Sequence, residues 1–118
     1  MNVNQNVSYI IVKIKGIIKS GSGESSQWMP KYLPWLFPGT VNIKLQGKHP
    51  AINYTNIIET DYGKPCKTAP CKVNGADAFI VFPPLAKEHK GKIEIGATFK
   101  IRDKFNLKDE DQLEIEFL

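Results

Sequence analysis

The chain has 118 residues, with 16 Lys and Arg against 12 Asp and Glu, which gives a net charge of +4. This length allows one domain that needs neither disulfides nor a metal to fold, and 24% charged residues beside 42% hydrophobic ones exclude a disordered chain. The small excess of positive charge suits an anionic ligand such as a nucleotide. Arg102 is the only Arg, which disfavours a sequence-specific DNA-binding protein, because such proteins contact bases mainly through Arg.

Most of the chain follows the two-residue alternation of β-strands, interrupted by turn residues. The predicted strands are Tyr9–Ile18, Val41–Gln46, Asn53–Thr60, Cys71–Val73, Ala78–Phe82, Lys92–Ala97 and Leu113–Phe117. Asn74-Gly75 predicts a hairpin, and Arg102–Leu107 a short helical turn. Pro30, Pro34 and Pro38 exclude a long helix between the first two strands.

Seven short strands with little helix predict an all-β fold, a small closed barrel of six to seven strands. Residues 1–8, which include three Asn and one Gln, are expected to be a loose tail, and residues 9–118 a single domain. Cys66 and Cys71 lack nearby histidines, which favours two small apolar side chains over a zinc site. With no secretory leader or membrane span, the sequence predicts a cytoplasmic protein.

A glycine- and serine-rich segment, Ser20 to Ser26, follows the first strand. Glycines allow sharp turns that gather several N–H groups around one anion, and serine hydroxyls add donors. The segment therefore predicts a phosphate-binding loop, with a flexible surface loop as the alternative. It is not a Walker A motif, because no Gly-Lys-Ser/Thr follows.

Two further patterns place polar side chains on strands. Thr40 and Asn42 lie opposite the apolar face of Val41–Gln46, where two neutral oxygen ligands can hold Mg²⁺ that is paired with phosphate. Glu94 lies between Ile93 and Ile95 and is a candidate base. The alternative for Thr40 and Asn42 is a solvent-facing polar edge, and the alternative for Glu94 is an ordinary exposed carboxylate. Three basic side chains fall within five residues: Lys100, Arg102 and Lys104. They either bind phosphate groups or belong to an ordinary solvent-exposed turn.

In this order the segments resemble the archaeal CTP-dependent riboflavin kinases, which are cradle-loop β-barrels. The resemblance runs from about Ile10 to Phe117, and its most specific parts are residues 39–45, Gly-Thr-Val-Asn-Ile-Lys-Leu, and residues 105–109, Phe-Asn-Leu-Lys-Asp. It implies transfer of the γ-phosphoryl group of CTP to riboflavin, giving FMN and CDP, with Mg²⁺ as cofactor and no nucleic-acid or membrane partner.

The resemblance also implies roles for individual residues. Thr40 and Asn42 match the metal-binding pair, Glu94 a catalytic carboxylate that also contacts the flavin, and Ala86 a flavin-binding position. The implied nucleotide-binding residues are Ser22, Gly23, Glu24, Ser25, Ser26, Gln27, Phe99, Lys100, Ile101 and Arg102.

The chain departs from the family pattern in four places. The segment before Gly39 is about ten residues shorter than in the pattern, so that two tryptophans and three prolines are expected to replace a helix over the site. Ser25 replaces a loop glycine, Ala86 a hydroxyl residue near the flavin, and Glu110 the glycine of a turn. The shortened segment and Ala86 favour an alternative, a nucleotide- or flavin-binding barrel without kinase activity. A DNA-binding swapped-hairpin barrel is a third hypothesis, disfavoured by the single Arg.

Overall fold

The computed structural model describes residues 11–85 and 91–118. Its elements in chain order are β1 (Val12–Lys19), α1 (Ser25–Tyr32), β2 (Val41–Leu45), β3 (Asn56–Ile58), β4 (Cys66–Val73), β5 (Ala76–Phe82), β6 (Lys92–Gly96), α2 (Ile101–Lys104) and β7 (Gln112–Phe117). In the described part of the chain no helix is both long and apolar enough to cross a bilayer.

Six antiparallel strands close into a barrel in the order β4-β5-β6-β2-β1-β7, and β7 pairs back onto β4. The short strand β3 extends the sheet beside β4. This arrangement confirms the predicted all-β barrel. Closure leaves the barrel strands with few unpaired edges, and alternation along each strand sends one set of side chains inward.

The barrel interior is filled by aliphatic side chains from every barrel strand. Ile18, Ile95 and Ile115 are completely buried there, and Ile43 is 1% exposed. Gly16 allows β1 and β2 to pack closely, because a Cβ at Gly16 would lie 2.3 Å from Ile43 Cγ2. The inward face of the alternation is therefore the core of the domain.

A second apolar cluster lies outside the barrel, where α1 packs against β4 and β5. Trp28, Met29 and Leu33 recur at helical spacing and are buried against Cys66 and Val81. The family pattern has a helix in this segment, and the tryptophans and prolines of this shorter segment were expected to replace it. This prediction is wrong, because α1 covers Ser25–Tyr32. Pro30 removes only one backbone donor from the eight-residue helix, and the buried stripe stabilises what remains.

Four of the seven predicted strands are confirmed to within two residues. β1 begins at Val12 rather than Tyr9, and residues 9 and 10 lie outside the described residues; two further strands differ more. β4 begins at Cys66 rather than Cys71, although it contains Pro70. Pro70 lies between the residues of β4 that pair with β3 (66–68) and those that pair with β7 (71–73), where one edge of β4 needs no donor. β3 covers only Asn56–Ile58. The tail at residues 1–8 lies outside the described residues.

The predicted turns also agree with the backbone. Asn74 and Gly75 have φ values of 48° and 83°, as a two-residue hairpin turn between β4 and β5 requires. The predicted helical turn at Arg102–Leu107 is α2, which covers Ile101–Lys104 and so begins one residue and ends three residues earlier than expected. Both cysteines are buried free thiols, and burial raises the pKa of Cys66 to about 11 and of Cys71 to about 12. They are therefore protonated, unreactive parts of the core at neutral pH.

Candidate active site

A cleft of about 460 Å³ lies on the outer face of the barrel, where β2 and β6 meet the segment between β1 and α1. Residues 19–25 form one wall, and the outward side chains of the two strands form the other. Most lining residues are polar or charged: Lys19, Ser20, Ser22, Glu24, Ser25, Thr40, Asn42, Lys92, Glu94 and Arg102. A cleft of this size and composition suits a small charged ligand.

The strand wall carries Thr40, Asn42 and Glu94 side by side. Asn42 on β2 is the direct cross-strand partner of Glu94 on β6, and Thr40 immediately precedes β2. Thr40 Oγ1 donates a hydrogen bond of 2.5 Å to Glu94 Oε1, and Ser25 Oγ lies 3.2 Å from the same oxygen. The register of two strands thus gathers a hydroxyl, an amide and a carboxylate at one point.

These side chains supply the oxygen ligands that Mg²⁺ prefers. The Thr40 hydroxyl, the Asn42 amide oxygen and the Glu94 carboxylate are all hard donors on one wall of the cleft. Few protein ligands are needed, because Mg²⁺ keeps several waters and phosphate oxygens. The donor set therefore fits a metal ion held together with a phosphate. Among the described residues, no group of three His, Cys, Asp or Glu forms a separate metal site.

The loop wall packs against the strand wall through a glycine. A Cβ at Gly21 would lie 1.9 Å from Asn42 Nδ2, so only glycine leaves room for the amide where it stands. Gly23, with φ of 77°, turns the chain into α1, and Ser26 Oγ donates a 2.7 Å hydrogen bond to its carbonyl. The loop is therefore fitted to the side chain of Asn42.

Three cations line the cleft, and two of them are paired with acidic residues before β7. Lys19 Nζ lies 2.8 Å from Glu110, and Arg102 Nη2 lies 2.7 Å from Asp109 Oδ1. Lys92 is the third cation, and no ion pair between described residues includes it. The positive charge that is available to a ligand is thus concentrated at Lys92.

A second, smaller cleft of about 150 Å³ adjoins the first through Gly39, Thr40 and Arg102. Its other lining residues include Phe37, Phe99, Lys100 and Ile101. Phe99 is held edge-on to Phe105, with ring centroids 6.2 Å apart. The apolar side chains of this cleft can contact a flat ring, while the first cleft holds charged groups.

The structure brings most of the predicted site residues together. Ser22, Gly23, Glu24 and Ser25 line the first cleft with Thr40, Asn42, Glu94 and Arg102, and Phe99, Lys100, Ile101 and Arg102 line the second. Ser26 and Gln27 lie at the exposed start of α1 and line neither cleft. Ala86 lies outside the described residues.

Five residues that line the first cleft belong neither to the predicted site residues nor to the predicted motifs at residues 20–26 and 39–45: Lys19, Trp28, Pro83, Leu85 and Lys92. Lys92 shares a strand face with Glu94, so alternation alone could have identified it. Trp28 and Leu85 carry no such signal, because their positions depend on where α1 and the end of β5 pack.

The sequence comparisons agree with this geometry. The family model of CTP-dependent riboflavin kinases, whose description reads "Domain of unknown function DUF120", matches residues 18–117. The chain belongs to this family. The matched range begins at the end of β1 and includes both walls of the cleft, so the family resemblance and the site coincide.

Several curated relatives are named riboflavin kinase. The Pyrobaculum aerophilum protein is 38% identical over 95 residues, which cover 70% of this chain and 44% of that protein. The Methanobrevibacter smithii protein is 29% identical over 126 residues, covering 90% of this chain and 100% of that protein. The Saccharolobus solfataricus protein is 31% identical over 128 residues, which cover 89% of this chain and 73% of that protein. The chain thus spans less than half the length of the Pyrobaculum relative.

Proposed function

We propose that this chain is a riboflavin kinase that transfers the γ-phosphoryl group of CTP to the 5′-hydroxyl of riboflavin, giving FMN and CDP. The observation that carries the proposal is the grouping of Thr40, Asn42 and Glu94 on one strand wall, facing a glycine- and serine-rich loop. Family membership and the names of the relatives support the same reaction.

The nucleotide occupies both clefts in this proposal. Its phosphates lie against residues 22–25, whose N–H groups and hydroxyls are donors, and near Lys19 and Arg102, whose charges are shared with Glu110 and Asp109. Its base enters the smaller cleft beside Phe99, where an apolar ring edge is available. Gly39 and Thr40 line both clefts and therefore mark the passage between base and phosphates.

Thr40 and Asn42 would hold the Mg²⁺ ion that accompanies the triphosphate. When bound, this ion neutralises charge on the phosphates and polarises the transferred group. Because Gly21 has no side chain, the Asn42 amide can occupy its position beside the loop. Ser25 and Thr40 donate to Glu94 and thereby fix the direction of the carboxylate.

Glu94 accepts the proton of the riboflavin 5′-hydroxyl as that oxygen attacks the γ-phosphorus. The new O–P bond forms, the bond to the CDP oxygen breaks, and CDP leaves with the electron pair. The apolar groups of Trp28, Pro83 and Leu85 line the same cleft and pack against the flavin rings. Positioning and charge stabilisation supply most of the rate enhancement in such a transfer.

The direct test is incubation of the purified protein with riboflavin, Mg²⁺ and each of the four nucleoside triphosphates in turn, with chromatography to detect FMN. FMN with CTP and little with the others is the expected result. FMN with ATP or GTP instead would keep the reaction and contradict the nucleotide preference. Folded protein that makes no FMN with any nucleotide would overturn the kinase proposal in favour of a binding barrel.

A further inference from the structure

A pair of lysines lies beyond Glu94 on the outer face of β2 and β6. Lys92 lines the first cleft, and Lys44 is its neighbour on β2 outside the cleft lining. Lys44 on β2 and Lys92 on β6 are direct cross-strand partners, two residue pairs along from Asn42 and Glu94 and therefore on the same outer face. Like charges that face each other across antiparallel strands repel and destabilise the sheet. Both side chains are exposed, and no ion pair between described residues includes either of them. An anion between them would remove the repulsion.

The position of the pair indicates which anion it binds. Residues two apart on one strand face are separated by about 7 Å, so Lys92 lies beside Glu94. The long side chain of Lys92 lines the first cleft. Lys19 and Arg102, the other cations of the cleft, are already paired with Glu110 and Asp109. A phosphate that forms next to the Glu94 carboxylate is repelled by it and needs a nearby cation.

We propose that Lys44 and Lys92 form an anion subsite for the phosphate group of the flavin product. This inference rests on the proposed kinase function and adds a recognition element to it. Riboflavin is uncharged at this position, whereas a phosphate monoester carries about −1.5 to −2 charges near pH 7. The subsite therefore distinguishes the two flavins, stabilises charge on the group in transfer and slows release of FMN.

The test compares FMN with riboflavin as ligands, using the change in flavin fluorescence on binding at low ionic strength. The unsubstituted protein is expected to bind FMN more tightly than riboflavin. Each exposed ion pair is worth about two- to fivefold in affinity, so Lys44→Met with Lys92→Met should weaken FMN binding about tenfold. Riboflavin binding should change less than twofold, and added salt should weaken FMN binding alone.

Lys15→Met is the matched control, because Lys15 is an exposed lysine on β1 that lines neither cleft. It removes one positive charge from the barrel and should leave both flavin affinities unchanged. Thermal melting of each variant checks that these surface substitutions leave the fold intact.

Three results would overturn the subsite. Equal affinity of the unsubstituted protein for FMN and riboflavin would do so, as would FMN binding that the double lysine substitution does not change. A tenfold loss of CDP affinity with unchanged FMN affinity would assign the lysines to the nucleotide instead. Each of these leaves the kinase proposal standing. If neither flavin binds at all, the kinase proposal fails and the subsite fails with it.

Discussion

Strand β2 presents Val41, Ile43 and Leu45 to the barrel interior, and Asn42 and Lys44 to the outer face. β6 repeats the arrangement, with Ile93 and Ile95 buried and Lys92 and Glu94 outside. The inner face is aliphatic and closely packed, so it stabilises the fold. The outer face is polar and partly exposed, so it is free to bind. On these ten strand residues, the inward side chains therefore stabilise the fold and the outward side chains are available for ligand binding and catalysis. Substitutions on the inner face should lower stability, and substitutions on the outer face should lower activity or ligand affinity.

The largest expected effect on the outer face comes from Glu94→Gln. Glutamine keeps the shape of the side chain and still accepts the hydrogen bond from Thr40, but it cannot take a proton. FMN formation should fall about 10²- to 10⁴-fold, the usual contribution of a general base. CTP affinity and the melting temperature should be retained. Full activity would refute the catalytic role, and loss of folding would make Glu94 a structural residue.

On the inner face, Ile43→Ala should reduce the free energy of unfolding by about 2–5 kcal/mol. Ile43 is 1% exposed and packs against Gly16, so truncation leaves a cavity that the neighbouring strand cannot fill. Urea unfolding measures the change. CTP affinity of the folded fraction should be unaltered. Lys15→Ala, an exposed change on the adjacent strand, should shift stability by less than about 0.5 kcal/mol.

Gly21→Ala tests the contact between the loop and the outer face. The added methyl group overlaps the Asn42 amide and should weaken Mg²⁺-dependent CTP binding about tenfold, a coupling within the usual range for residues in contact. In an Asn42→Ala background the same substitution should cost little. Gly47→Ala is the control for backbone strain, because Gly47 has a φ of 123°, a Cβ there meets no atom within 4 Å, and the residue lines neither cleft. It should leave CTP affinity unchanged. Equal losses in both backgrounds would refute the steric coupling.

The smallest expected effect concerns Glu110, which has a φ of 72° where the family pattern expects glycine. This backbone conformation costs a non-glycine residue about 1–2 kcal/mol, and the exposed ion pair with Lys19 returns about 0–1 kcal/mol. Glycine itself loses about 0.5–1 kcal/mol more chain entropy on folding, so Glu110→Gly should raise the free energy of unfolding by about 1 kcal/mol at most. Glu110→Ala keeps the strain and loses the ion pair, so it should lower stability slightly. A destabilised glycine variant would contradict this balance.

The alternation of residues made much of the fold and part of the site predictable. Val41 to Leu45 alternates without exception, so both the strand and the outward direction of Asn42 follow from the pattern. The pairing of Asn42 with Glu94 does not follow from it, because the two residues are far apart in the chain and the pattern of one strand does not identify its neighbour. The family resemblance, rather than periodicity, connected these two residues.

Helix α1 and the first part of strand β4 both contain a proline, and neither was predicted from the sequence. Pro30 argued against a helix that the packing of Trp28 and Met29 nevertheless stabilises. Residues 66–70 of β4, which end at Pro70, were not predicted as strand, although Pro70 falls where one strand edge has no partner. In both cases tertiary packing outweighed the local signal, because the cost of a proline depends on whether its missing N–H had a partner.

The outer face of β2 can be tested most directly by calorimetric titration with CTP, with and without Mg²⁺. The protein is compared with a variant that carries both Thr40→Ala and Asn42→Ala. We expect Mg²⁺ to increase CTP affinity in the unsubstituted protein and to have no effect in the variant, which should still melt cooperatively. A folded variant that binds CTP and Mg²⁺ as well as the unsubstituted protein would contradict the assignment of this face as the active site.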